Sequence, residues 1–255
     1  MRVLQYNIRR GGAGGADDPE RLSRLRTWVE REAYDVVGLN ELNGWTQSPG
    51  LYVCAKAWGY SSAELFVTPR SKYFVGVLAK SPIRVLDRIE EGFYHGVLHV
   101  VIREVHFIIT HLNPKSAADR LIETKALVQL TRNVAAPVFI MGDLNTLSPL
   151  DQNQHDLEPL RKTDALRKKF LDPDGRINYE PMRRLLQAGL VDLCPDGGHT
   201  VPTSITDDKM HAVPMRLDYI LANDAALRLL PRTRIVTGDV TAMLSDHYPV
   251  ECRWD

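Results

Sequence analysis

Residues 138–145 read VFIMGDLN and decide the fold prediction for this chain. The four apolar residues follow Pro137 and predict a strand that is buried on both faces. Gly142 then lets the backbone open. Because side chains at i and i+2 of a strand point to the same side, Asp143 and Asn145 should leave the strand end together. A carboxylate beside a carboxamide suits a phosphate and the water that attacks it, whereas an ordinary Asp/Asn turn is the plain alternative.

Other predicted strands also carry a polar residue at or near one end. We predict strands at 3–8, 35–41, 73–79, 97–103, 105–110 and 216–221, and a last one after the Asp246-His247 pair. The polar residues of these strands are Asn7, Glu41, His111 and Asp218. A single acid of this kind is usually a solvated strand end, an edge-strand residue or part of a turn. Here the pattern repeats along the chain, which favours a shared site.

Helices are predicted to fall between these strands. The first starts with Asp18 as N-cap and Pro19 in its first turn, and two others span 118–134 and 179–187. Because strands outnumber helices and alternate with them, we expect one domain over residues 1–255, with sheets covered by helices.

Three connecting segments are polar. Arg9 and Arg10 open a glycine-rich loop over residues 9–15, which indicates a turn or a phosphate cradle. Residues 146–174 should be irregular, with basic clusters that form a solvated face or, alternatively, contact nucleic acid. Residues 192–214 form a loop long enough to suggest a lid over a substrate. The histidines that we interpret as structural strand or turn residues are His95, His99 and His106.

Net charge, cysteine spacing and the lengths of apolar runs limit the classes of protein to which this chain could belong. Lys+Arg and Asp+Glu both number 32, and the resulting zero net charge argues against a general polyanion binder while leaving room for a local basic cleft. The three cysteines are far apart, which argues against a zinc site and a disulfide framework. The sequence begins without a signal-peptide core and contains no apolar run of bilayer length, so we expect a cytoplasmic protein without membrane contacts.

The polar strand residues are rich in hard oxygen ligands and contain no cysteine. That composition favours Mg²⁺ or Mn²⁺ over zinc. His111 and His247 can transfer protons near neutral pH. Together these groups suit metal-assisted hydrolysis of a phosphate ester.

Six short motifs occur in a characteristic order along the chain. They are Tyr6-Asn7-Ile8, Glu41 after its strand, Thr110-His111-Leu112, Gly142-Asp143-Leu144-Asn145, Arg216-Leu217-Asp218-Tyr219-Ile220 and Ser245-Asp246-His247. With these motifs the chain resembles the endonuclease/exonuclease/phosphatase superfamily, which includes pancreatic-type deoxyribonucleases, abasic-site endonucleases, neutral sphingomyelinases and inositol polyphosphate 5-phosphatases. Each motif alone is weak, but six in order, spanning nearly the whole chain, are specific.

The resemblance implies an α/β fold of the deoxyribonuclease type. This is a four-layer α/β/β/α sandwich, two packed sheets flanked by helices, with the site at one edge where strand ends converge. Glu41 would be the main metal ligand, with Asn7 beside it. Asp143 would orient or deprotonate the attacking water, and Asn145 would hold the phosphate.

The histidines and remaining acids also receive roles from the resemblance. His247 would contact the phosphate or act as base, held in its tautomer by a neighbouring acid. Asp246 would supply that orienting contact or bind metal, and Asp218 would join the polar network. His111 would stabilise or protonate the leaving side. Which histidine is the acid, and whether one or two metal ions bind, stay open.

Residues within the motifs and next to them distinguish the branches of the superfamily. His111 is similar to the deoxyribonuclease and sphingomyelinase pattern, since abasic-site endonucleases usually carry Tyr there. Residues 146–149 and 217–219 differ from the inositol phosphatase motifs. We therefore expect a monomeric Mg²⁺- or Mn²⁺-dependent phosphodiester hydrolase, a nuclease or a related phosphodiesterase, with Arg9 and Arg10 contacting nucleic acid. The alternatives are a hydrolase for a small phosphorylated metabolite or lipid head group, with residues 192–214 closing its pocket, and a non-catalytic binding module.

Overall fold

The computed structural model describes residues 1–13, 18, 20–47, 50–195, 197–205 and 208–255, without the side chain of Lys209. In these residues the strands, β1 to β12 in chain order, are Arg2–Asn7, Val36–Asn40, Ser62–Phe66, Val75–Ala79, Arg84–Ile89, Val97–Ile102, Val105–His111, Val138–Asp143, Val191–Asp192, Asp218–Ala222, Arg232–Ile235 and Val250–Arg253. The α-helices, α1 to α8, are Arg21–Glu32, Gly50–Ala57, Ala117–Thr131, Leu157–Leu160, Asp164–Phe170, Glu180–Gln187, Asp224–Leu227 and Asp239–Ala242. None of these helices combines the length and apolar character that crossing a lipid bilayer requires.

The strands form two six-stranded sheets with similar construction. The first has the order β11-β12-β1-β2-β4-β3, and the second has the order β5-β6-β7-β8-β10-β9. In each sheet one pair is parallel, β1 with β2 and β7 with β8, and the other pairs are antiparallel.

Apolar clusters show how the layers pack. One cluster lies between the sheets and joins residues such as Val3 and Phe139. A second packs α1 and α2 on the outside of the first sheet, through Leu25 and Leu51 among others. A third packs α3 and α6 on the outside of the second sheet. The predicted four-layer α/β/β/α sandwich is therefore confirmed.

The inward faces of the central strands change from apolar to polar toward one end. In β8, Phe139 and Met141 join the cluster between the sheets, and Asp143 is the next residue on that face because the side-chain period of a strand is two. The same alternation and the strand registers bring together Asn7 in β1, Asn40 in β2, His111 in β7, Asp143 in β8 and Asp218 in β10. The sandwich thus has an apolar centre and one polar edge.

Gly142 is needed for the close approach of β7 and β8. A Cβ atom at this position would lie 1.9 Å from the carbonyl oxygen of Thr110, its partner in the parallel ladder. The glycine therefore allows two backbones to meet, and the expected opening of the backbone is wrong, because β8 continues through Gly142 to Asp143.

The predicted start of the first helix is also wrong. Helix α1 begins at Arg21 after Glu20. The carboxylate of Asp18 pairs with the guanidinium of Arg24 instead of capping the helix. Pro19 lies outside the described residues.

The segment 146–174 is more ordered than predicted. It contains a 3₁₀ helix at Pro149–Gln154 followed by α4 and α5. Side chains of Ser148, Asp156 and Thr163 accept backbone N–H groups at the three helix starts. Such capping residues satisfy helix ends without requiring long apolar periodicity, and an apolar cluster that includes Leu160 and Phe170 fixes the segment to the rest of the protein.

Candidate active site

The polar strand ends surround one pocket of about 370 Å³. The predicted site residues that line it are Arg9, Arg10, Glu41, His111, Asp143, Asn145 and Asp246. The other three, Asn7, Asp218 and His247, are fully buried and contact residues of this wall or one another. A cleft of about 470 Å³ beside α3, α6 and α7 contains none of the polar strand ends. We therefore place the candidate site in the smaller pocket.

Asp143 lies at the centre of the hydrogen-bond network. Its Oδ2 accepts from Asn7 Nδ2 at 3.1 Å and lies 3.4 Å from His111 Nε2 and 3.8 Å from His247 Nε2. Its Oδ1 accepts from the backbone N–H of Asn145 at 2.9 Å. Burial alone would raise the pKa of Asp143, but the His111 hydrogen bond and the charges of His111 and His247 hold this pKa well below its usual range. Asp143 therefore stays ionised near neutral pH.

Asn40 connects the two sheets beneath the pocket. Its Oδ1 accepts from Gln5 Nε2 at 2.6 Å and from the backbone N–H of Asp143 at 2.8 Å, and its Nδ2 donates to the carbonyl of Thr110 at 2.9 Å. Sequence reasoning gave Asn40 no role. The available signal was a carboxamide at the end of a buried strand, where an unpaired amide would be costly.

Glu41 and the Arg9–Arg10 loop fix each other. The Glu41 carboxylate accepts from Asn7 Nδ2 at 3.3 Å and from the backbone N–H of Arg10 at 2.9 Å. Arg9, Arg10, Glu41 and Asn145 all have positive φ angles, of 50°, 50°, 63° and 49°. Non-glycine residues with positive φ cost energy and cluster at functional sites.

His247 is held by Asp218. Its Nδ1 lies 2.7 Å from Asp218 Oδ2, and both side chains are fully buried. Burial lowers the pKa of His247, but the charge and hydrogen bond of Asp218 outweigh it and raise this pKa to about 10. Burial also raises the pKa of Asp218, against the effect of His247. The pair therefore keeps a proton at neutral pH. The acid that orients His247 is Asp218, whereas the family resemblance had implied either this role or metal binding for Asp246.

Asp246 has other partners. Its Oδ2 lies 3.1 Å from His211 Nδ1 and 3.6 Å from Arg9 Nε. Burial would raise the pKa of Asp246, but the His211 hydrogen bond and the positive charges of His247, His211 and Arg9 lower it well below its usual range. His211 was not predicted as a site residue. It belongs to the 192–214 segment, which reaches the pocket through Asp208, Met210 and His211.

The donor set fits a divalent cation. Among the described residues, ligand atoms of His211, Asp246 and His247 lie within 4.8 Å of one another. Glu41, the main predicted metal ligand, is outside this group but contributes a carboxylate to the same pocket. Because the His247–Asp218 pair keeps its proton at neutral pH, the carboxylates of Asp246 and Glu41 are the groups that would hold the cation. Carboxylates with imidazoles suit Mn²⁺, and carboxylates alone suit Mg²⁺.

His95 belongs to the pocket wall, although we interpreted it as structural from sequence. Its ring stacks on His111 with the centroids 4.1 Å apart, and its Nδ1 lies 2.6 Å from Ser71 Oγ. Burial, together with the charge of His111, lowers the pKa of His95 to about 2, so it stays neutral. His99 and His106 contact each other at 2.9 Å and do not line the pocket.

Buried groups of α3 position three segments of the wall. Glu123 accepts the backbone N–H groups of Tyr94 and Asn113, each at 2.8 Å. Arg120 donates to the carbonyls of Asn113 and Lys169. Helix α3 thereby ties together the turn before β6, the end of β7 and the end of α5.

Glu123 should make stability depend on pH. Burial raises its pKa from 4.5 to about 7, against the two backbone donors. A raised folded-state pKa favours the folded protein when the group is protonated, so this contribution is lost as pH rises from about 4.5 to about 7. In Glu123→Gln we expect the free energy of unfolding, relative to wild type, to rise by on the order of 3 kcal/mol across that window.

Chemical denaturation at several pH values measures this difference. The exposed Glu91→Gln is the matched control and should run parallel to wild type. A Glu123→Gln curve that also runs parallel would contradict the assignment.

Sequence reasoning missed several pocket residues besides His95 and His211. They are Tyr73, Tyr94, Pro114, Lys115, Lys169, Asp208 and Met210. Lys169 stood in a basic cluster that we predicted to be a solvated face, yet it is 2% exposed. Its neighbour Lys168 is exposed. The predicted solvated face is therefore confirmed for Lys168 and wrong for Lys169.

Comparisons with known proteins agree with this geometry. The sequence model of the "Endonuclease/Exonuclease/phosphatase family" matches residues 4–247. A search of curated proteins found no match. Among solved structures, an AP endonuclease from Archaeoglobus fulgidus is similar at 15% identity, with 100% of this chain and 99% of that chain covered and a TM-score of 0.74. A 3'-5' exonuclease (NExo) from Neisseria meningitidis is similar at 17% identity, with 100% of both chains covered and a TM-score of 0.71. At these identities the likeness concerns the fold.

Proposed function

Because the chain belongs to the endonuclease/exonuclease/phosphatase family, we propose that it hydrolyses phosphodiester bonds with the help of a divalent cation, Mg²⁺ or Mn²⁺. One observation carries the proposal. The ionised Asp143 faces a pocket while two histidines and the Asn7 amide surround its carboxylate. This arrangement supplies a base, a source of protons and hydrogen-bond donors within a few ångströms.

Asp143 is the group that handles the attacking water. Its low pKa keeps it ionised, so Oδ2 accepts a hydrogen bond from the water and orients its oxygen toward the phosphorus. His247 stabilises the charge on Asp143, and Asp218 keeps the His247 ring in place. As the new P–O bond forms, the proton of the water passes to this network.

The leaving group departs on the side of His111. This histidine lines the pocket and contacts Asp143 through Nε2. It donates a proton or a hydrogen bond to the ester oxygen as the P–O bond breaks, which gives a phosphate monoester and an alcohol. Asn145 holds a phosphate oxygen, and its Nδ2 hydrogen bond to the Leu112 carbonyl, at 3.0 Å, fixes its direction.

Glu41 and Asp246 would hold the cation, with Asn7 beside Glu41. When bound, a divalent cation neutralises the negative charge that develops on the phosphate oxygens. Glu41 is prearranged for this by the hydrogen bonds from Asn7 and the Arg10 backbone.

Nucleic acid is the first substrate candidate, and we propose that the protein acts as a monomer. Arg9 and Arg10 stand at the pocket, where a strand backbone would pass. One observation favours the second candidate, a small phosphorylated metabolite or lipid head group. Asp208, Met210 and His211 of the 192–214 segment line the pocket, as a closed small-molecule site requires.

The test is hydrolysis of plasmid DNA, RNA and an aryl phosphodiester with Mg²⁺ or Mn²⁺, with and without EDTA. We expect turnover that EDTA abolishes and excess metal restores. The Glu41→Gln variant should require a higher metal concentration for half-maximal turnover. Steep loss of nucleic acid cleavage with salt would support a polyanion substrate. Turnover of the aryl diester alone would support the small substrate. A chain that hydrolyses none of the three, or does so equally in EDTA, would contradict the proposal.

A further inference from the structure

The pocket wall contains a buried lysine. Lys169 lies in the last turn of α5 and is 2% exposed, yet it lines the same pocket as Asp143 and Asn145. Its nearest aromatic contact is the Phe170 ring, with the centroid 5.1 Å from Nζ. Among the described residues, no carboxylate lies within ion-pair distance of this ammonium and no hydrogen bond joins it to the protein.

An ammonium in this position is costly without an anion. Burial lowers the pKa of Lys169 to about 8, and the charge of Asp143 opposes that effect only in part. The group is therefore mostly protonated near neutral pH, while burial removes most of its water and the described residues offer it no direct partner. A buried charge that lacks a partner destabilises a fold. A structural role for the carbon stem of Lys169 would not require the charge, since methionine could pack in the same space.

The backbone of Lys169 is fixed with respect to the catalytic strand ends. Arg120 is 1% exposed and donates to the carbonyl of Lys169 and to that of Asn113, two residues after His111. The same buried guanidinium therefore sets the position of α5 and of the end of β7. The backbone of Lys169 is thus fixed beside the pocket, and its side chain is packed there at 2% exposure, unlike that of an exposed lysine.

We propose that Lys169 is a substrate-binding residue whose ammonium contacts a non-bridging oxygen of the phosphate in this pocket. The role rests on the proposed phosphodiester hydrolysis and adds a contact made by the protein itself, independent of a metal ion. It also explains why one lysine of the basic cluster is buried while Lys168 is exposed.

Binding of inorganic phosphate in EDTA tests the role without relying on turnover. We expect calorimetry to detect phosphate binding by wild-type protein, and Lys169→Met to weaken it by about tenfold or more, as expected for the loss of a charged hydrogen bond. The neighbouring Lys168→Met is the matched control and should bind like wild type. Because Lys169→Met removes a buried charge for which the described residues provide no ion pair, its thermal stability should equal or exceed that of wild type.

Equal phosphate binding by Lys169→Met and wild type would overturn the proposal, and so would the absence of phosphate binding by wild type in EDTA. A Lys169→Met protein that melts well below wild type would also overturn it, since the ammonium would then be structural. Failure of the hydrolysis proposal looks different. The chain would bind phosphate through Lys169 and yet cleave none of the three diesters with metal present.

Discussion

Replacing Asp143 with asparagine is expected to lower kcat for phosphodiester hydrolysis by roughly 10³- to 10⁵-fold. Asparagine keeps the size of the side chain but removes the negative charge and one of the two acceptor oxygens. The attacking water then loses its proton acceptor, and His111 and His247 lose the carboxylate that both contact. The measurement is single-turnover cleavage of the best substrate at saturating Mg²⁺ or Mn²⁺.

Stability has to be measured on the same variant. The low pKa of Asp143 means that its ionised form stabilises the folded protein, so some loss of thermal stability accompanies the loss of charge. Assays well below the melting temperature keep the two effects apart. The exposed Asp174→Asn should leave both properties unchanged. Activity of Asp143→Asn within tenfold of wild type would remove Asp143 from the reaction.

Combining Asp143→Asn with His247→Ala tests whether the two residues act together. Their reactive atoms lie 3.8 Å apart, and Nε2 of His247 is buried with no hydrogen-bond partner among the described residues. Groups that act as a unit give strongly non-additive losses. The double variant should therefore be little slower than Asp143→Asn alone, and fully multiplied losses would show that His247 works elsewhere.

The polar edge of the sandwich could be predicted because it depends on local patterns. Short apolar strands with a polar residue at or near one end are visible in the sequence, and Asn7, His111, Asp143 and Asp218 were identified in that way. The order of the motifs then implied that these ends meet. The register of β7, β8 and β10 makes the same point in the structure, with Asp143 opposite both His111 and Asp218.

The residues that sequence reasoning missed depend on contacts between distant segments. Lys169 is buried because α5 packs against an apolar cluster and Arg120 holds its carbonyl, and neither fact appears in a run of basic letters. His211 reaches Asp246 from a long loop, 35 residues away in sequence. For the same reason the prediction assigned either the orientation of His247 or metal binding to the adjacent Asp246. In the structure Asp218, 29 residues away in sequence, makes this contact.

Replacing Arg216 with methionine is expected to lower the free energy of unfolding by about 3–5 kcal/mol. The guanidinium is 2% exposed and lies between two buried carboxylates. It contacts Asp192 through two nitrogen atoms, at 2.9 and 2.6 Å, and Asp151 at 2.8 and 2.7 Å. Methionine fills much of the space but leaves both carboxylates without their main counter-charge. Chemical denaturation measures the loss, and the partly exposed Arg183→Met should cost less than about 1 kcal/mol.

The neighbouring contacts connect this stability to the site. Arg216 also lies over the Tyr219 ring, 4.4 Å from its centroid, and the single Tyr219 hydroxyl proton is within reach of two carbonyls, that of Arg216 at 2.7 Å and that of Thr146 at 2.9 Å. This cluster therefore holds the start of β10, where Asp218 stands, against the segment that follows Asn145. We expect Arg216→Met to lower activity through a looser Asp218–His247 pair, with a larger effect on kcat than on KM.

A charge-free cluster separates two effects of Arg216→Met, the loss of the counter-charge of two buried carboxylates and the loss of packing. Buried ion triads can often be replaced together by apolar residues of similar volume at little cost, whereas removal of one member is expensive. The triple variant Arg216→Met, Asp151→Leu, Asp192→Leu should therefore be more stable than Arg216→Met alone. If the triple variant is less stable, the carboxylates hold the fold through their other hydrogen bonds, such as that from the Cys194 backbone to Asp192. The expected recovery would show that the arginine is needed to neutralise the two acids that position the strand carrying Asp218.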